Sequence, residues 1–390
     1  MNKKNKNEFK FKIYFWGSVL FLSLISFLIG IIFSELENKF PLYFTNSIIT
    51  TLFLVIITTL ITIFIHELSH FLAFLYFRYD ILLFILGPFS FYKSSNKWTV
   101  KFKFNSAIGI GGLVIPNIPK IRNNEDFKKI KTEYSKVMVI APLVSAIQGL
   151  LSLFIIIFFL PNFNKNIQST FFTILMTSLF NAIYINITSL ITISGLLGDY
   201  KAYKLFKYTD TFAAYQLYTY LKLSTEKKNI SEDCNILKNI ILSELEQRYK
   251  NKILDSFTCL LVDIYIYEYL THNISIPMKV VDYINYYIEN IETFYSKLIF
   301  ESYYVLFAHI LIYLSEKDLQ KSINLWRTIK NKFPKNKVAN YYIVQIESKL
   351  NNNISKSFLC DKKNIHLSSL DPIVSFLDNY YEDEIFLNSK

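Results

Sequence analysis

Residues 61–74 read ITIFIHELSHFLAF, and they lie inside a much longer apolar run. From Phe40 to Phe77 the only Asp, Glu, Lys or Arg is Glu67. His66 and His70 bracket it, two of the five histidines in the chain. A charged side chain at bilayer depth costs about 2.5–3.5 kcal/mol on insertion scales, so one that is kept there has a chemical task. At i and i+4 of a helix, two imidazoles share one face, one turn apart. Their nitrogens can then converge on one metal. Glu67, beside the first, is placed to take a proton from a water which that metal activates. The competing reading is a structural polar cluster or a remnant without activity.

The chain around this stretch belongs to a membrane class. It has 390 residues, of which 52% are hydrophobic, and its mean hydropathy is +0.27. A span needs roughly 20 apolar residues. Four stretches qualify: Ile13–Ser34, Phe40–Phe77, Val137–Asn164 and Asn166–Gly198. The first lacks a small-residue cleavage site and reads as a retained helix, not a signal peptide. Lys and Arg crowd the N-terminal MNKKNKNEFKFK and the segment from Lys93 to Lys131, while the other two loops carry Lys39 and Lys165 alone. That bias places both termini and the long loop in the cytoplasm of a multi-pass cell-membrane protein. The formal net charge of +11 follows from the same basic loops. They suit an anionic leaflet, and no basic recognition motif argues for nucleic acid.

The expected fold is mostly α. A membrane-embedded core of about four spans, residues 1–205, is followed by a cytoplasmic helical domain, residues 206–390. Helical periodicity runs through ILKNIILSELEQRY (236–249) and LQKSINLWRTIKNKF (319–333). Residues 302–350 read as stacked helical hairpins around Pro334, either tetratricopeptide-like or an ordinary bundle. Residues 81–119 are too short and too rich in Gly and Pro to span, and KWTVKFKF alternates as a strand does. They read as a small sheet at the membrane interface, shielded by protein or lining a wet cavity. Cys234, Cys259 and Cys360 show no zinc-type or redox-type spacing, so free thiols are expected.

A catalytic zinc keeps three protein ligands and one open position. Asp80 and Glu125 lie in the long loop, and Glu35 and Glu37 on the opposite side. Asp199 is the first charge after the last apolar run, at a depth similar to HELSH, and is the expected third ligand. Its plainer role would be an acid ending a helix at the interface.

An HExxH in one span with an Asp near the end of a later one resembles the site-2 protease family of intramembrane zinc metalloproteases. The resemblance covers about residues 45–206. It extends to GPFSFY (87–92), the GIGG segment (109–112), APLVSA (141–146) and NITSLITISGLLGDYKAYKLF (186–206). It departs from the family where Tyr200, not Gly, follows Asp199, and where Ser189 stands in place of a proline. The resemblance implies that His66, His70 and Asp199 hold zinc, with Glu67 as general base and then proton donor to the leaving amine. It further implies that Asn181 or Asn186 hydrogen-bonds an unwound, membrane-bound peptide substrate, and that residues 104–115 add a strand-like contact to it. The C-terminal helices would then dock a substrate or partner protein. The alternative is a non-catalytic receptor or scaffold acting through those helices. Transport is disfavoured because no internal repeat is present, and there is no Gly-x-Ser-x-Gly elbow.

Overall fold

The computed structural model describes residues 46–87, 89–94, 97–102, 112–193, 196–223, 234–351, 358–359 and 364–365. The expected span Ile13–Ser34, Cys360 and residues 104–111 of the 104–115 segment lie outside the described residues. Among those described, the chain is mostly helical, with eleven α-helices and a small antiparallel sheet. Three helices are long and apolar enough to cross a membrane: α1 (Ile48–Tyr76), α2 (Asn124–Phe158) and α3 (Lys165–Thr188).

Two compact units divide the chain. Among the described residues, the first contains those from Asn46 to Thr62 together with Ala146–Tyr184. Its helices approach through small residues: a Cβ on Gly149 would stand 2.8 Å from the Ala182 Cβ. Gln148 donates to Ser178 Oγ at 2.9 Å and to Thr62 Oγ1 at 3.3 Å, satisfying polar groups among apolar neighbours.

The second unit contains Ile63–Ser145 and the chain from Ile185 onward. Here α1 ends in a Schellman closure. Tyr79 N donates to Phe74 O, Arg78 N donates to Leu75 O, and Arg78 takes the left-handed conformation with φ 64°. That turn feeds β1 (Asp80–Leu86) directly from the HELSH helix. β2 (Phe89–Ser94), β3 (Lys97–Phe102) and β4 (Gly112–Asn117) complete a sheet ordered β3-β2-β1-β4. β1 is a continuous apolar run, DILLFIL, because it is the strand buried on both faces. A bulge between Ile81 and Leu83 resets its register against β4. Pro116, which cannot donate to a ladder, sits on the edge strand β4. β3 leaves Trp98, Val100 and Phe102 exposed.

The sharpest departure from expectation falls in residues 166–198. The helix stops at Thr188. A hairpin of β5 (Thr192–Ile193) and β6 (Leu196–Leu197) follows, and Asp199 opens the next helix, α4 (Asp199–Tyr208). Asp199 is therefore not on a spanning helix. The break falls at SLITISGLLG, where β-branched residues and glycines weaken helix propensity. The freed backbone groups are re-satisfied locally. Gly198 N donates to Ile191 O, and Ser189 O accepts from Tyr200 N and Lys201 N.

The remaining helices are α5 (Asp210–Leu223), α6 (Asn235–Lys250), α7 (Ser256–His272), α8 (Met278–Glu289), α9 (Glu301–Lys317), α10 (Leu319–Ile329) and α11 (Lys337–Asn351). Asp255 and Asp318 cap α7 and α10 by accepting from Thr258 N and Lys321 N. α9 packs on α7, α10 and α11 and is buried nearly all round. One apolar core runs from Phe74 and Tyr79 through Tyr134 and Phe206 to Leu217 and the later helices. The end of α1 that bears the motif thus shares its packing with the C-terminal helices.

Candidate metal centre

His66 and His70 stand one turn apart on α1, their ring centroids 5.1 Å apart and their planes at 89°. Both are buried, and so is Glu67 between them. His66 Nε2 lies 3.2 Å from Asp199 Oδ2, and His70 Nε2 lies 3.5 Å from Asp199 Oδ1. One ligand atom from each residue falls within 4.8 Å of the others. The fold therefore gathers His66, His70 and Asp199 into one cluster across 133 positions of sequence.

The rear face of each imidazole is held by α2. His70 Nδ1 donates to the Val137 carbonyl at 3.1 Å. A carbonyl oxygen can only accept, so Nδ1 carries the proton and Nε2 turns its lone pair to the carboxylate. Two acceptors at that distance repel unless a cation, either a second proton or a metal ion, stands between them. Pro142 lies inside α2 and lacks the N–H that would bond the Met138 carbonyl, loosening the ladder next to Val137. His66 Nδ1 is 2.9 Å from the hydroxyl of Ser145, which is fully buried. Pro142 and Ser145 both belong to the APLVSA segment. The sequence marked that segment but gave its residues no task.

Asp199 is fixed by its own hairpin. Ser189 Oγ donates to Asp199 Oδ2 at 3.4 Å. Burial pushes the Asp199 carboxyl up; Nε2–H hydrogen bonds and charge from doubly protonated His66 and His70 outweigh it and hold it well below the usual carboxylate range, the place a metal ion takes when Nε2 is bare. Gly198 allows the two arms of the hairpin to close, since a Cβ there would meet Thr188 O at 2.4 Å and Ser189 Cα at 2.6 Å. Close approach is thus provided by the glycine before Asp199, not by one after it. Gly198→Ala is expected to lower the stability of the chain by about 1–3 kcal/mol through this overlap. Urea unfolding of the purified protein checks it, and a variant as stable as the parent would mean that the hairpin yields freely.

Tyr200 has a specific contact of its own. Its hydroxyl donates to Asn186 Oδ1 at 3.0 Å, tying the start of α4 to the end of α3. Asn181 lies in the other compact unit, where its amide donates to Thr59 Oγ1 at 3.1 Å.

Glu67 has a neighbour that spacing along the chain could not reveal. A Cβ on Gly112, the first residue of β4, would stand 2.2 Å from Glu67 Cγ and 2.9 Å from Glu67 Oε1. Only glycine lets the strand lie this close to the carboxylate. Gly112 is the last glycine of the GIGG segment, and Glu67 is the neighbour that requires it.

Compared with known protein families, curated proteins and solved structures, the chain matches none.

Proposed function

We propose that this protein is an intramembrane zinc metallopeptidase, similar to the site-2 protease family, which hydrolyses a peptide bond in a membrane-bound protein or peptide. The observation that carries the reading is the convergence of His66 Nε2, His70 Nε2 and the Asp199 carboxylate, with Glu67 buried beside them. Two imidazole nitrogens and one carboxylate oxygen are a donor set used by catalytic zinc. Ligands held at about 2.1 Å on a tetrahedral ion stand roughly 3.4 Å apart. The nitrogen–oxygen separations of 3.2 and 3.5 Å suit that spacing. A zinc ion held there would supply Lewis acidity toward water and toward the scissile carbonyl.

The chain's own residues supply the rest of this chemistry. Glu67 takes a proton from the attacking water and returns it to the leaving amide nitrogen. β4 is an edge strand that begins against Glu67, so an extended substrate pairing with it would be led toward the carboxylate. Asn186, held by Tyr200 at the end of α3, or else Asn181, is proposed to hydrogen-bond an unwound substrate segment. The exposed apolar face of β3 suits contact with lipid at the membrane interface. The basic loops favour a multi-pass cell-membrane protein with cytoplasmic termini. α5–α11 would dock a substrate or partner protein, as tetratricopeptide-like repeats or an ordinary helical bundle do.

Bound zinc per chain tests the central claim. The detergent-purified protein is expected to hold about one zinc, and His70→Ala none, because a catalytic site retains only three protein ligands. A folded parent protein without zinc would refute the reading and favour a scaffold role for the C-terminal helices.

A further inference from the structure

We infer that Ser145 is a positioning residue for the proposed centre: its hydroxyl oxygen accepts the His66 Nδ1–H and so directs the Nε2 lone pair toward Asp199. The inference rests on the zinc reading above and adds to it the element that sets the ligand state of His66.

Three buried serines of α2 frame the comparison. Ser135 donates to Thr132 O at 2.8 Å and Ser152 donates to Gln148 O at 2.9 Å, so both hydroxyls are used within their own helix. That is the usual fate of a helical serine. Ser145 is oriented differently, with its hydroxyl 2.9 Å from His66 Nδ1 on α1, 79 positions away. Its relative exposure is 0%, so water does not compete for the contact.

The proton between these two atoms can be shared in two ways, with opposite consequences. If Ser145 donates, Nδ1 is the acceptor, Nε2 carries the hydrogen, and His66 simply donates to Asp199. That cluster is closed by protons and has no place for a metal at His66. If Ser145 accepts, Nε2 is bare and His66 becomes the equivalent of His70. The tautomer of His70 is already set by a group that can only accept, the Val137 carbonyl. The two imidazoles then present matched lone pairs to the one carboxylate, each oriented from behind by α2. Rear hydrogen bonds of this kind fix ring orientation and tautomer in metal-ligating histidines.

Zinc affinity, measured by chelator competition on the detergent-purified full chain, tests the role without any substrate. Ser145→Ala is compared with wild type and with Ser152→Ala, a buried serine of the same helix whose hydroxyl bonds only its own backbone. Ser145→Ala is expected to bind zinc about 10–100-fold more weakly. Ser152→Ala is expected to match wild type. Unchanged zinc affinity in Ser145→Ala overturns the role, as does an equal loss in both variants. Failure of wild type to bind zinc would instead sink the metal reading itself.

Discussion

Glu67→Gln is expected to reduce peptide hydrolysis by about 100–10,000-fold, the usual contribution of a positioned general base, while zinc content stays at the parental level. The substitution keeps the shape of the side chain and removes only its capacity to accept and return a proton. The separation of the two readouts matters. His66, His70 and Asp199 form the cluster without Glu67, so loss of zinc in the variant would show that Glu67 acts as a ligand and not as a base. Hydrolysis is read by mass spectrometry on a panel of single-span peptides in detergent. Retained cleavage in Glu67→Gln would rule out the proposed chemistry. Gly112→Val is a steric counterpart to the same experiment. Its side chain would occupy space held by Glu67 Cγ, so it is expected to lower hydrolysis without loss of zinc.

The second large effect concerns stability. Lys238→Met is expected to destabilise the second compact unit by about 3–5 kcal/mol. Lys238 Nζ donates to Glu268 Oε2 at 2.9 Å, and Tyr218 donates to Glu268 Oε1 at 3.0 Å. All three groups are buried, and they join α5, α6 and α7. Burial and the neighbouring Glu268 hold the Tyr218 phenol well above its ordinary range, so it remains a donor. Removing the ammonium leaves a buried carboxylate with no opposite charge, and that uncompensated charge is the source of the loss. Lys238→Met combined with Glu268→Gln is expected to recover most of the stability, since the amide oxygen still accepts from Tyr218. Urea unfolding followed by tryptophan fluorescence measures both variants. A loss below about 1 kcal/mol in the single variant would place the pair with ordinary solvated ion pairs.

A good part of this protein is legible from its residues in order. Apolar length sufficed for α1, α2 and α3, because a bilayer demands roughly 20 apolar residues and little else. Spacing i, i+4 sufficed to put His66 and His70 on one face, because a helical turn is a local property. Helices within 236–249 and at the start of 319–333, and a strand at KWTVKF, were visible for the same reason: each repeats at its own period within a few residues. Asp199 was visible as a lone charge after a long uncharged run, though the hairpin that carries it was not. The apolar run SLITISGLLG reads as membrane helix by composition, and only the set of backbone bonds around Ser189 and Gly198 reveals the break.

What the sequence determined by itself is the chemistry: which side chains are ionisable within an apolar stretch, and which of them repeat at a helical turn. What only the tertiary structure decided is the set of contacts between them. These are Asp199 against both imidazoles, the Val137 carbonyl and Ser145 hydroxyl behind the rings, and Gly112 against Glu67. The physical reason is one of range. Periodicity records what a residue does within a few positions of itself, whereas these contacts join groups 45–133 positions apart. Such contacts are set by how separate segments pack and where the chain turns, which no local period encodes.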